Sequence, residues 1–111
     1  MDFGQSIATC FRKYADFSGR ASRSEYWWFA LFQVLVTAAA SLLGDLTSGL
    51  VGLALLLPAL AVGARRLHDI GKSGWWLLIW LIPLIGWIVL IVWAASKGEA
   101  TDNSHGAVPA V

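Results

Sequence analysis

Eight residues in two short stretches carry most of the chemistry available to this chain of 111 residues: Arg20, Arg23 and Glu25 in one, Arg65, Arg66, His68, Asp69 and Lys72 in the other. Arginine presents a planar fork that fits a carboxylate or a phosphate at two points. His68 is the residue type that exchanges a proton near neutral pH, and Asp69 or Glu25 could orient it. The set is thus open to three readings: an ion-pair lattice, an anion-binding site, or an acid–base site acting on a phosphate-bearing molecule. The adjacency of His68 and Asp69 is a weak catalytic signal, because neighbours on a helix point in different directions. No nucleophile accompanies them. One cysteine, Cys10, and two histidines give no metal-ligand spacing. No cofactor and no metal are expected.

The elements that position these residues are apolar. Stretches 26–43, 46–64 and 74–95 hold no charged side chain, and each is long enough to cross a bilayer as a helix. The hydrophobic fraction is 58% and only 14% of residues are charged, against roughly 45–50% and 25% in soluble domains. Seven tryptophans and long Leu/Ile/Val runs could not be hidden in a soluble fold of this size. A net charge of +1, with no basic stripe, argues against nucleic acid as a partner. Residues 38–40, three alanines, resemble a signal-cleavage region, but 25 residues precede the first run and it opens on Tyr26-Trp27-Trp28-Phe29. A retained span is expected.

The expectation is therefore an all-α membrane protein, with an N-terminal amphipathic interfacial helix followed by three transmembrane helices in a single domain. Residues 1–18 form the amphipathic helix on the cytoplasmic face. Its apolar positions Phe3, Ile7, Cys10, Phe11 and Tyr14 recur at helical spacing, suited either to the lipid surface or to the protein's own cytoplasmic face. Gly19 is expected to end it. Ser22 and Glu25 have the spacing of a capping box, which would start span 1 over residues 23–43. A tight turn at Gly44-Asp45 leads into span 2 over 46–64, and a polar cytoplasmic loop over 65–73 leads into span 3 over 74–95. Residues 96–111 form a flexible tail. Ser73 is the expected N-cap of span 3, and Pro58 and Pro83 are expected to kink their helices.

Orientation follows the basic residues. Arg12, Lys13, Arg20 and Arg23 precede span 1, Arg65, Arg66 and Lys72 follow span 2, and only Lys97 follows span 3. This places the amino terminus and the 65–73 loop in the cytoplasm, the turn near Asp45 outside, and the tail outside. Trp27, Trp28, Trp75 and Trp76 are the interfacial aromatics, with Trp93 at the opposite interface. Trp76, Trp80 and Trp87 would share one helix face. Ala40 with Gly44, and Ala59 with Gly63, offer small-residue contacts for helix pairing or self-association.

An antiparallel hairpin of spans 1 and 2 brings residues 19–25 beside 65–72. Asp69 can pair with Arg65 or Arg66 along the helix, and Glu25 can take an arginine or histidine that Asp69 leaves free. Positive-inside bias accounts for the cations but not for Glu25, His68 and Asp69. A lattice locking the hairpin is the favoured reading. Five cations against two carboxylates leave three positive charges, an attraction for anionic lipid head groups.

The string Gly-Arg-Ala-Ser-Arg-Ser-Glu-Tyr-Trp-Trp-Phe at 19–29 and Ala-Arg-Arg-Leu-His-Asp-Ile-Gly-Lys-Ser-Gly-Trp-Trp at 64–76 resemble the two signatures of domain-of-unknown-function family 805. These are small bacterial inner-membrane proteins of the YhaH type. Leu-Ile-Pro-Leu-Ile-Gly at 81–86 is also similar, as is the tail pattern of Asn103, Gly106 and Pro109. The tail departs from the pattern at His105, where an aromatic residue is usual, and at Ala107-Val108. The resemblance implies a multi-pass protein of the bacterial inner membrane and implies no activity. The function expected is a non-enzymatic scaffold or accessory protein that self-associates, its charged face binding anionic lipid or an unknown membrane partner. The alternatives are a channel or transporter subunit, and an interfacial enzyme using His68. The spans hold no mid-membrane ionisable residue, which disfavours transport.

Overall fold

The computed structural model describes residues 2–107 and Pro109; Met1, Val108, Ala110 and Val111, which fall in the expected interfacial helix and tail, lie outside the described residues. The described residues are all-helical apart from one isolated bridge: α1 (Phe3–Arg12), α2 (Arg23–Ser41), α3 (Asp45–Asp69), a 3-10 helix (Gly74–Leu81) and α4 (Ile85–Ala95).

Helix α1 starts at a capping box, with the Asp2 carboxylate accepting from the Gln5 amide and the Gln5 side chain accepting from the Asp2 amide. It stops at Arg12, short of the expected 18, and Gly19 does not end it. The Asp16 carboxylate accepts instead from the amide and hydroxyl of Ser18, and Gly19 turns the chain at φ +82°. The apolar face of α1 packs on α2. Phe3 meets Trp28 and Phe32, and Phe11 meets Phe29 and Phe32, edge-on with ring centroids 5.7–6.4 Å apart. Cys10, Phe29, Leu55 and Val62 form the apolar core among α1, α2 and α3.

Helix α3, 25 residues and about 37 Å, is the one helix among the described residues long and apolar enough to cross a membrane by length and composition. It runs unbroken past Pro58 and through Asp69, so residues 65–69 are helical rather than part of a polar loop. Pro58 has no N–H for the carbonyl of Ala54, and the Tyr14 hydroxyl donates to that freed carbonyl. The helix ends in a Schellman motif: the Lys72 amide donates to Leu67, the Gly71 amide to His68, and Gly71 takes φ +80°.

Segment 74–95 is not a single helix. It folds as a 3-10 helix of eight residues, a turn, and an α-helix of eleven, each about 16 Å long. Pro83 ends the first half. Leu84 follows at φ 67° and ψ −65°, and the Ile85 amide donates to Pro83 across 2.8 Å, a γ-turn of the rare positive-φ form. The halves return antiparallel, since Trp76 meets Trp93 at 5.7 Å and Trp80 meets Trp87 at 5.3 Å. The expected stripe of Trp76, Trp80 and Trp87 on one helix face is thus corrected to tryptophans facing each other across a hairpin. Trp93 comes back to the end where the segment began, with the Lys72 ammonium 4.8 Å above its ring.

Candidate functional site: a buried charged end

Helix α2 delivers Glu25, the end of α3 delivers Arg65, Arg66, His68 and Asp69, and the link between α1 and α2 delivers Arg20. The hairpin of α2 and α3 places all six at one end. Arg20, Glu25, Arg65, Arg66 and Asp69 are buried, an arrangement that charged residues accept only when paired.

Two ion-pair groups result. Arg65 pairs with Glu25 and so bridges α3 to α2. The Ser22 hydroxyl accepts from the Glu25 amide at 3.3 Å as the N-cap of α2, but the Glu25 carboxylate turns to Arg65 rather than completing a capping box. The Ser6 hydroxyl donates to the Glu25 carbonyl at 2.5 Å, and the Cys10 thiol lies 3.8 Å from its carboxylate. Burial first, and then the Glu25 charge, push the Cys10 thiol up to about 12. In the second group Asp69 takes Arg66 on one oxygen and Arg20 on the other, the latter at 3.0 Å.

Arg20 and Arg66 are largely occupied by backbone carbonyls. Arg20 donates to Glu99 at 2.5 Å, Thr101 at 2.8 Å, Gly106 at 3.3 Å and Asp69 at 3.3 Å. Arg66 donates to Ala94 at 3.0 Å, Ala21 at 3.1 Å and Ser96. Backbone amides also reach the end of α3, from Ala21 to Arg65 and from Glu99 to Asp69. The Asn103 side chain donates to the His68 carbonyl at 2.9 Å. Carbonyls at the carboxyl end of α3 are thereby met from two other segments, the link before α2 and the tail.

The described tail therefore lies against the charged end, and not opposite the cluster as expected. The hairpin at Pro83 is the physical reason, because a chain that turns back halfway emerges where it entered. Trp27 donates to the Ala94 carbonyl at 3.1 Å and Arg23 to Ala95 at 3.4 Å, fastening the returning helix to α2.

His68 is not served by either carboxylate. Its Nδ1 donates to the Gly19 carbonyl at 2.8 Å, and its ring stacks on His105 with centroids 4.0 Å apart. Lys72 sits over Trp93, and Arg23 is exposed, so these two are outside the buried set. Of the expected interfacial aromatics, Trp27 is bonded to the hairpin, Trp28 packs on Phe3, and Trp75 and Trp76 are exposed on the 3-10 helix. No group of three potential metal ligands occurs among the described residues.

A family described as "Protein of unknown function (DUF805)" matches residues 14–107. The chain belongs to DUF805. Its relatives include inner membrane protein YhaI of Escherichia coli K12, 40% identical over 105 residues, which cover 88% of this chain and 89% of YhaI. Inner membrane protein YhaH of the same strain is 39% identical over 110 residues, covering 88% of this chain and 90% of YhaH. The uncharacterized protein YiiR is 36% identical over 94 residues, or 75% of this chain and 64% of YiiR. No solved structure matches. Both long DUF805 strings contribute to the buried end: Arg20 and Glu25 come from the first, Arg65, Arg66, His68 and Asp69 from the second. Sequence reasoning missed the carbonyls of Ala94, Ser96, Glu99, Thr101 and Gly106, which have no side-chain signature. It also missed Ser6 and the bonds made by Tyr14, read only as part of an apolar helix face, and by Asn103, read only as part of the DUF805 tail pattern.

Proposed function

We propose that this DUF805 protein is a non-enzymatic scaffold or accessory protein of the bacterial inner membrane. Its charged end is a structural lock, and its outward apolar faces meet lipid, a second copy or a membrane partner. The observation that carries this reading is the commitment of Glu25 and Asp69 to arginines, which leaves His68 without a carboxylate to orient it. The charged end faces the cytoplasm under the positive-inside rule, together with the tail that it holds.

Exposed Leu31, Val34 and Leu35 on α2 and Leu46, Leu50 and Leu53 on α3 supply apolar surface for lipid and for self-association. Cross-linking in native membranes tests this: discrete homo-oligomers are expected, and a single monomeric band at every cross-linker concentration overturns self-association. The enzyme reading is tested by His68→Ala. Under the scaffold reading this variant keeps its cross-linking pattern and any cellular phenotype of the wild type, whereas loss of phenotype in a folded variant revives an acid–base role.

A further inference from the structure

An apolar groove separates α3 from the returning hairpin, enclosing about 480 Å³, within the range of single-ligand pockets. Ala59 and Gly63 of α3 form its floor; a Cβ at Gly63 would touch Leu77 at 3.4 Å. Its rim residues Leu56, Leu78, Leu81 and Ile91 are all more than half exposed, so the groove opens sideways. From Leu56 to Arg66 it follows α3 for about 15 Å, half of a bilayer's hydrocarbon thickness. This is the depth of one leaflet.

The end of the groove at the charged lock is different. Arg66 and Tyr26 line it there. Four of the five N–H groups of Arg66 go to Ala94, Ala21, Asp69 and Ser96, leaving one on Nη2. Exposed Arg23 makes one long bond, 3.4 Å to the carbonyl of Ala95, next to the lining residue Ala94. Arg23 and Arg66 bring two guanidinium groups to this mouth, and Arg66 shares the Asp69 carboxylate with Arg20, so the mouth attracts an anion.

We infer that the groove holds one acyl chain of an acidic phospholipid, with the lipid phosphate at Arg23 and the remaining N–H of Arg66. The inference deepens the function proposed above and rests on its reading of the charged end as facing one leaflet. A second copy lying parallel would bring the same cationic end to the mouth.

The test uses the full chain in mild detergent, with native mass spectrometry against phosphatidylglycerol, phosphatidylcholine of the same chains, and inorganic phosphate. One phosphatidylglycerol per protomer should be retained, and inorganic phosphate should not displace it. Ala59→Phe fills the floor and should weaken retention at least about tenfold. Arg23→Gln should lower the preference for phosphatidylglycerol about fivefold, the effect of one basic residue near an anionic head group. If Ala59→Phe does not fold, Leu56→Trp blocks the far end and should have the same effect. Equal retention of the two lipids, displacement by phosphate, or wild-type retention in a folded floor or rim variant overturns the assignment. Lipid retained by a monomeric chain removes self-association alone, whereas an oligomer that retains none removes the groove alone.

Discussion

The two ends of the α2–α3 hairpin invert the usual order of a protein. At one end Arg65 and Arg66 are each at most 1% exposed, while at the other Leu42, Leu43 and Leu46 are 77–88% exposed. Each arrangement would be costly in water, and each is favourable in its own surroundings. Exposed leucines lose nothing against lipid tails. A charged group removed from water has no solvent of its own, so the protein supplies partners: the Asp69 carboxylate and backbone carbonyls for Arg20 and Arg66, and the Glu25 carboxylate for Arg65. The charged end is thus the more specified region, and the apolar end tolerates change.

That contrast breaks most visibly at Arg66. Arg66→Ala leaves Asp69 half-paired and the carbonyls of Ala21 and Ser96 without this donor, so it should lower stability in detergent by about 3–5 kcal/mol. Leu43→Ala at the other end should change it by less than about 0.5 kcal/mol. Thermal unfolding of both variants checks this, and similar losses would abolish the contrast. Glu25→Gln should cost nearly as much as Arg66→Ala, because it leaves the buried Arg65 charge uncompensated. Exchanging the pair, Glu25→Arg with Arg65→Glu, should recover part of the loss.

The prolines sharpen the comparison at smaller scale. Pro58 sits in an unbroken helix because Tyr14 satisfies the carbonyl it frees, whereas Pro83 is followed by a strained turn. Tyr14→Phe should cost about 1 kcal/mol, the worth of a hydrogen bond, and nearly nothing in a Pro58→Ala background where the helix regains its own donor. A double-mutant cycle reads that coupling. Leu84→Gly should stabilise the turn by up to about 1 kcal/mol, because glycine accepts positive φ without strain.

The smallest effect is chemical. With its thiol pushed up to about 12, Cys10 should carry about a thousandfold less thiolate at pH 8 than an unperturbed thiol with its reference value of 9.0. Alkylation should therefore await unfolding. The linkage has a definite sign: the unfolded thiol ionises above pH 9 and the folded one does not, so this group lowers stability as pH rises from about 9 to 12. Rapid alkylation of the folded protein at pH 8 would show the Cys10–Glu25 contact to be open.

Much of this fold was legible in composition and periodicity. Residue 22 as a helix cap, the turn at Gly44-Asp45 and the meeting of 19–25 with 65–72 all follow from local chemistry and hairpin geometry. Segment 74–95 was not legible, because hydropathy is the same for one span and for two half-length helices. The deciding features are a missing N–H at Pro83 and a positive φ at Leu84, a residue that gives no warning of it. The partners of Arg20 and Arg66 were hidden for a related reason: they are backbone carbonyls, and a hairpin that went unseen brings most of them into place.

The central claim is that the tail returns to the charged end. It is tested by single cysteines at Asp45, Lys72 and Lys97 in a Cys10→Ala background, labelled in intact cells with a membrane-impermeant thiol reagent. The account predicts that Lys72→Cys and Lys97→Cys behave alike, both protected until the membrane is opened, while Asp45→Cys reacts from outside. Labelling of Lys97→Cys together with Asp45→Cys, and not with Lys72→Cys, would contradict it and restore a third full span.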